Sequence, residues 1–153
     1  MPAIRISVQS APFDIADELA RIRTAGGSVG ALVTFTGVCR DEGGRLVALE
    51  LEHYPGMAEE EIGRIVDEAA SRWPLSAISV VHRYGRIVSG DEIVLVITAS
   101  AHRDAAFEAA RFLMDFMKTS APFWKKEHLV GSEAGGWVAP RNADDDALQR
   151  WRK

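Results

Sequence analysis

The sequence predicts an α+β domain with helices packed on a largely antiparallel sheet and a C-terminal extension. Three observations point there. Short β-forming runs outnumber the amphipathic segments, and several such runs follow one another with no helix between them. The third is length: 153 residues fit one domain, 1–153, long enough to bury about 70% of the surface of the unfolded chain.

Each element has a local cause. Ile4, Ile6 and Val8 alternate with polar residues and mark a first strand. Pro12 precedes a helix that Asp14 can cap, with Ile15, Leu19 and Ile22 on one face. Gly30 to Val38 is apolar and rich in β-formers, so it reads as a mostly buried strand. Asp41 to Gly44 forms a turn, and Leu46 to His53 alternates as a half-buried strand. We expect these two strands to pair as a hairpin with a long loop.

Pro55-Gly56 breaks the pattern. A helix follows from Met57 to Trp73, with Ile62, Ile65, Val66, Ala69 and Trp73 on one stripe and Glu59 to Glu61 in its first turns, where the helix dipole favours negative charge. Pro74 closes it. Ser76 to Tyr84 and Asp91 to Ala99 read as two more strands joined through Gly85 and Ser89-Gly90. A third helix covers Arg103 to Thr119, and Phe123 to Leu129 is a short extended segment. Gly131 to Gly136 is a loop, and Asp144 to Trp151 forms a last helix capped by its acidic run.

Composition narrows the function. A net charge of −4 argues against a nucleic-acid partner, which needs a basic surface. One cysteine, Cys39, rules out an internal disulfide and a Cys-based metal cluster. Met1 to Val8 is too short and polar for a signal peptide, and no apolar run approaches the roughly 20 residues that span a bilayer. A cytoplasmic protein is expected.

The basic residues that attract attention are Arg40, His102, Arg103, Lys118, Lys125 and Lys126. His102 and Arg103 lie at a strand-to-helix junction, where free N–H groups and the helix dipole attract anions and an Arg fork suits phosphate. Spacing alone leaves this reading level with a solvated arginine beside a histidine bound to a carbonyl. Lys118 closes a helix, where a lysine is ordinary. Lys125 and Lys126 follow Phe123-Trp124. That is either an amine desolvated by aromatics and made reactive, or an aromatic anchor with solvated lysines alongside. His53 and His82 lack a second ligand at metal spacing.

These residues stand inside motifs. Thr34-Phe35-Thr36-Gly37 with Arg40, Leu51 to Met57 (LEHYPGM), Ser100-Ala101-His102-Arg103, and Lys118 to Glu127 (KTSAPFWKKE) together resemble the large subunit of molybdopterin synthase. The resemblance runs from about Val8 to Trp151 and implies an α/β hammerhead-type fold. It implies an enzyme that converts cyclic pyranopterin monophosphate to molybdopterin by installing a dithiolene. Sulfur arrives as a thiocarboxylate on the C-terminal Gly-Gly tail of a small ubiquitin-like subunit. The large subunit forms the homodimer core of a heterotetramer and needs no metal or organic cofactor. Lys118 and Lys125 match the family's active-site lysines. Arg40, His102 and Arg103 match its substrate-binding residues. Arg141 matches an arginine expected to reach the site across the dimer, and Lys126 stands where a basic residue is common. Phe35, Phe123 and Trp124 are expected walls for the Gly-Gly tail. Two departures are visible: Ser120 stands where arginine is frequent, and Cys39 where other residues occur. The rival reading is a non-catalytic module that binds a ubiquitin-like protein.

Overall fold

Two four-stranded sheets organise the chain. The computed structural model describes residues 2–25, 27–119, 122–130, 137–138 and 147–151. In chain order the elements are β1 (Ala3–Gln9), α1 (Ile15–Thr24), β2 (Ala31–Val38), β3 (Leu46–His53), α2 (Met57–Arg72), β4 (Ala77–Arg83), β5 (Gly85–Val88), β6 (Glu92–Ser100), α3 (Arg103–Met117), β7 (Phe123–Leu129) and β8 (Trp137–Val138). The first sheet runs β1-β4-β6-β2 and the second β5-β3-β7-β8. Only the β1–β4 pair is parallel; the other described pairs are antiparallel.

The expected hairpin between β2 and β3 does not form. β2 pairs along its length with β6, from Ala31↔Ser100 to Val38↔Glu92. The chain then leaves that sheet at Cys39, whose N–H donates to the Asp91 carbonyl at 2.8 Å while Gly90 donates to the Cys39 carbonyl at 2.7 Å. β3 starts the second sheet, between β5 and β7. The segment after Tyr84, expected to be a joint, contains β5.

Strand alternation places the core on both faces of the first sheet. Ile78, Val80, Val94 and Val96 pack with Ile62, Ile65, Val66 and Ala69 of α2 and with Phe112 and Leu113 of α3. Ala77, Val81, Leu95, Ile97 and Ala99 face α1, against Ile22, Leu19 and Ile15. Burying each large side chain stabilises the fold by about 1.5–3 kcal/mol. A smaller cluster of Cys39, Leu46, Leu49, Leu51 and Ile87 supports the second sheet.

Asp14 caps α1 as expected, accepting from the Asp17 N–H at 3.1 Å. The buried Glu18 of α1 accepts two bonds from Arg5, at 2.7 and 3.1 Å, which fastens α1 to β1. Of the expected last helix, 147–149 is helical, and the rest of Asp144 to Asp146 lies outside the described residues. Trp151 docks onto α3, donating to Asp115 at 2.6 Å and meeting Trp73 and Phe112 edge-on. The expected loop Gly131 to Gly136 lies outside the described residues. No helix among the described residues is long and apolar enough to cross a membrane.

Candidate active site

Strand β6 and helix α3 divide the candidate residues into two groups. His102 caps the N-terminus of α3 with extended backbone and no side-chain capping bond, and Arg103 is the first helical residue. The first turn of α3 therefore presents N–H groups without a side-chain cap. The junction is held in place: His102 N–H lies 3.4 Å from Ser100 Oγ, and that hydroxyl donates to the Pro74 carbonyl at 2.8 Å. Both His102 and Arg103 are exposed.

Gly30 is a residue that sequence reasoning passed over here. Its N–H donates to the Ser100 carbonyl at 2.9 Å. A Cβ at Gly30 would stand 2.2 Å from the Ala101 carbonyl oxygen, so only glycine lets β2 approach this junction.

Lys118 lies at the other end of α3, as its C-cap, with its N–H bonded to the Met114 carbonyl at 3.0 Å. The helix has 15 residues, so Arg103 and Lys118 are about 22 Å apart along it. β6 separates the same two ends of the sheet by about 27 Å. Arg40 follows Val38 and Cys39, and Val38 pairs with Glu92 at the start of β6, so Arg40 belongs to the Lys118 end. Within one chain, α3 therefore keeps His102 and Arg103 at one end and Arg40 and Lys118 at the other.

Lys125 joins the Lys118 end. It lies on β7 opposite Leu51, half-buried. The neighbouring Lys126 pairs with Glu50, so the pleat puts these two lysines on opposite faces of the strand. Lys126 is not brought together with Lys118 and Lys125. Of the expected walls, Phe123 shares the face of Lys125 and Trp124 shares that of Lys126, where its ring meets Tyr54 edge-on at 6.0 Å. Phe35 is exposed on β2. Arg141 and Ser120 lie outside the described residues.

The two lysines meet at a residue that the sequence did not single out for this role. His82, near the end of β4, has its pKa lowered from 6.5 to about 4. Burial is the largest cause; the positive charges of Lys125 and Lys118 and the neighbouring His53 push the same way, while a backbone hydrogen bond at Arg83 opposes them. The two lysines, one from the end of α3 and one from β7, thus both act on one ring. Lys125 also reaches Cys39, whose thiol pKa is raised, first by burial and then by Asp91 and Glu42, against lowering by a Leu49 backbone bond and Lys125. Cys39 is buried and held mostly as a neutral thiol.

Next to His82, the buried Arg83 donates to the Ser10 carbonyl at 3.2 and 3.1 Å and to the Glu92 carbonyl at 3.2 Å, tying together the ends of β1 and β6. The signal in the sequence was a His-Arg pair interrupting an otherwise aliphatic strand. A cleft of about 360 Å³ opens beside this region, lined by Glu50, Leu51, Glu52, His53, Tyr84, Gly85 and Arg86. Among the described residues no three His, Cys, Asp or Glu side chains converge as a metal site.

The sequence model of one family, described as MoaE protein, matches residues 8–120. The chain is 57% identical over 150 residues to the molybdopterin synthase catalytic subunit of Brucella melitensis biotype 1, covering 98% of this chain and 92% of that protein. Among solved structures, the molybdopterin cofactor biosynthesis protein E from Burkholderia multivorans superposes with a TM-score of 0.84 at 42% identity, over 99% of this chain and 98% of that one. Molybdopterin synthase from Staphylococcus aureus gives a TM-score of 0.76 at 30% identity, over 87% of this chain and 96% of that one.

Proposed function

The chain belongs to the MoaE protein family, whose curated relatives are molybdopterin synthase catalytic subunits, and on that premise we propose that it installs the dithiolene of molybdopterin. The substrate is cyclic pyranopterin monophosphate. Sulfur comes from the C-terminal thiocarboxylate of a small ubiquitin-like partner ending in Gly-Gly. The observation that carries the reading is that Lys118, at the end of α3, and Lys125, on β7, both act by their charge on the His82 ring.

The separation along α3 favours a pocket completed by a second protomer. His102 and Arg103 of one chain are too far from its own lysines to hold the same small substrate. We propose a two-fold dimer in which the junction of one protomer faces the lysines of its partner, a reciprocal contact that such symmetry allows. The working site then takes Lys118, Lys125 and Arg40 from one protomer and His102 and Arg103 from the other, which bind the phosphate. Arg141 is assigned to phosphate binding on the resemblance alone. Lys126 faces Glu50 and stays outside this pocket.

The chemistry follows from these groups. The partner's thiocarboxylate sulfur attacks a side-chain carbon of the pterin and forms a C–S bond there as a C–O bond at the same carbon breaks, the oxygen staying on the phosphate or leaving as water; the product is a thioester. Water attacks the acyl carbon, the C–S bond on the acyl side breaks, and the partner leaves as a carboxylate with sulfur on the pterin. A second charged partner repeats the transfer. A lysine ammonium stabilises negative charge on the acyl oxygen, and a lysine amine carries the proton from the attacking water. The protein acts in the cytoplasm as one domain, the homodimer core of a heterotetramer.

The test is reconstitution of purified chain, thiocarboxylated small subunit and cyclic pterin phosphate, with dithiolene product followed by mass spectrometry. Product formation is expected. Binding of the small subunit without product would sink the reading in favour of a non-catalytic docking module.

A further inference from the structure

The inner row of β4 reads Ile78, Val80, His82: two aliphatic side chains of the main core followed by an imidazole. Val94 on β6 and Val8 on β1 pair with His82 on either side. A third aliphatic side chain would suit that row. Instead the ring stacks on Phe123 with centroids 3.9 Å apart and planes 12° from parallel. Phe123 also meets His53 at 5.9 Å, and His53 meets Tyr84 at 4.3 Å. Phe123 begins β7, two residues before Lys125 and on the same face. Whatever fixes Phe123 fixes the start of the strand that carries Lys125.

The ring's hydrogen bond sets its tautomer, while burial and the neighbouring positive charges keep it uncharged. His82 Nδ1 lies 2.9 Å from the Arg83 carbonyl, which can only accept. Nδ1 therefore bears the proton, and the uncharged ring keeps its lone pair on Nε2. The charged and titratable groups acting on it are Lys125 from β7, Lys118 from the end of α3 and His53 from β3. A cation at this position would repel both ammonium groups.

We infer that His82 is a positioning residue for the lysine pair: its uncharged, stacked ring fixes Phe123, and through it Lys125, against Lys118. The inference rests on the reading of Lys118 and Lys125 as the reacting pair.

The experiment uses the reconstituted complex with thiocarboxylated small subunit and cyclic pterin phosphate. His82→Ala removes the ring; His82→Phe keeps a flat ring that can stack. Expected is a loss of kcat for His82→Ala of about 10–10²-fold with KM for the small subunit changed by less than about twofold, and recovery of most of the kcat by His82→Phe. Wild-type kcat in a folded His82→Ala variant overturns the proposal, as does a folded His82→Phe variant no better than His82→Ala. An activity-independent arm covers the case in which His82→Ala fails to fold. The His82 ring is titrated by NMR in the wild type and in Lys125→Ala, where loss of a positive neighbour should raise its midpoint. An unmoved midpoint overturns the proposal. A raised midpoint with normal turnover in Lys125→Ala instead removes the reading of the lysines and leaves the juxtaposition standing.

Discussion

Arg103 opens α3 and Lys118 closes it, so one rigid helix holds these two cations about 22 Å apart. No side-chain rotation closes that distance. On the proposed reading, each protomer carries two half-sites, and two whole sites form in a pair.

Complementation tests this directly. Arg103→Ala and Lys118→Ala chains, each nearly inactive alone, are unfolded and refolded together with the small subunit. Shared sites would restore roughly a quarter of wild-type turnover, since random pairing in a two-fold dimer gives half mixed dimers with one intact site each. Sites confined to one chain would restore none.

The pleat of β7 makes a second prediction. Lys118→Ala and Lys125→Ala should each lower turnover by about 10²–10⁴-fold, the range for loss of an acid–base group. Lys126→Ala, on the opposite face beside Glu50, should cost far less. Steady-state kinetics of the three variants, with small-subunit affinity measured separately, check the ranking. Equal losses at Lys125 and Lys126 would contradict the assignment of faces.

His82 predicts a slope of stability with pH. Its folded pKa of about 4 lies below the ordinary 6.5, so the unfolded chain takes up the proton first. The ring's contribution is complete above pH 6.5 and is lost as pH falls from 6.5 towards 4. The loss is at most about 3 kcal/mol, and less to the extent that solvent still reaches the ring's partly exposed edge. Urea unfolding at pH 7 and pH 4.5 measures it. The His82→Phe variant should lose less stability than wild type across that interval.

Gly30 predicts a coupled defect. Alanine there would place its Cβ 2.2 Å from the Ala101 oxygen, backbone against backbone. The cost should be about 1–3 kcal/mol or more, as in overpacked cores. Because Ala101 precedes His102, the strain is transmitted to the phosphate-directed junction. Thermal unfolding and the KM for the pterin phosphate should both worsen in Gly30→Ala. A stable variant with unchanged KM would show that β2 does not fix the junction.

Much of this was legible in the sequence, for physical reasons that differ by element. Alternation marked β1 and β3, and the Asp14 cap marked α1, because these signals are local. The partner of β2 was not legible. Its pairing with β6 joins segments some sixty residues apart, while the nearer β3 offered an equally plausible edge. The four-residue β5 was too short to stand out beside Gly85 and Gly90. At the site, the motifs brought Lys118, Lys125, Arg40, His102 and Arg103 into view, and the helix read over Arg103 to Thr119 already implied that its two ends lie far apart. His82 was hidden because a lone histidine on a strand was weighed only as a metal ligand. Its stacking on Phe123 depends on two sheets meeting.

The place of β7 between β3 and β8 has a consequence in time. All strands of the first sheet exist once Ser100 has been synthesised. β3 is finished at His53 but waits for β7 to end at Leu129. At roughly 5–20 residues per second that interval is roughly 4–15 s on the ribosome. Throughout it, β3 has at most β5 beside it and one bare edge, next to the apolar Leu49 and Leu51. A nascent chain stalled in this window offers that edge to other strands. That edge of β3 is covered only when the strand carrying Lys125 has been built.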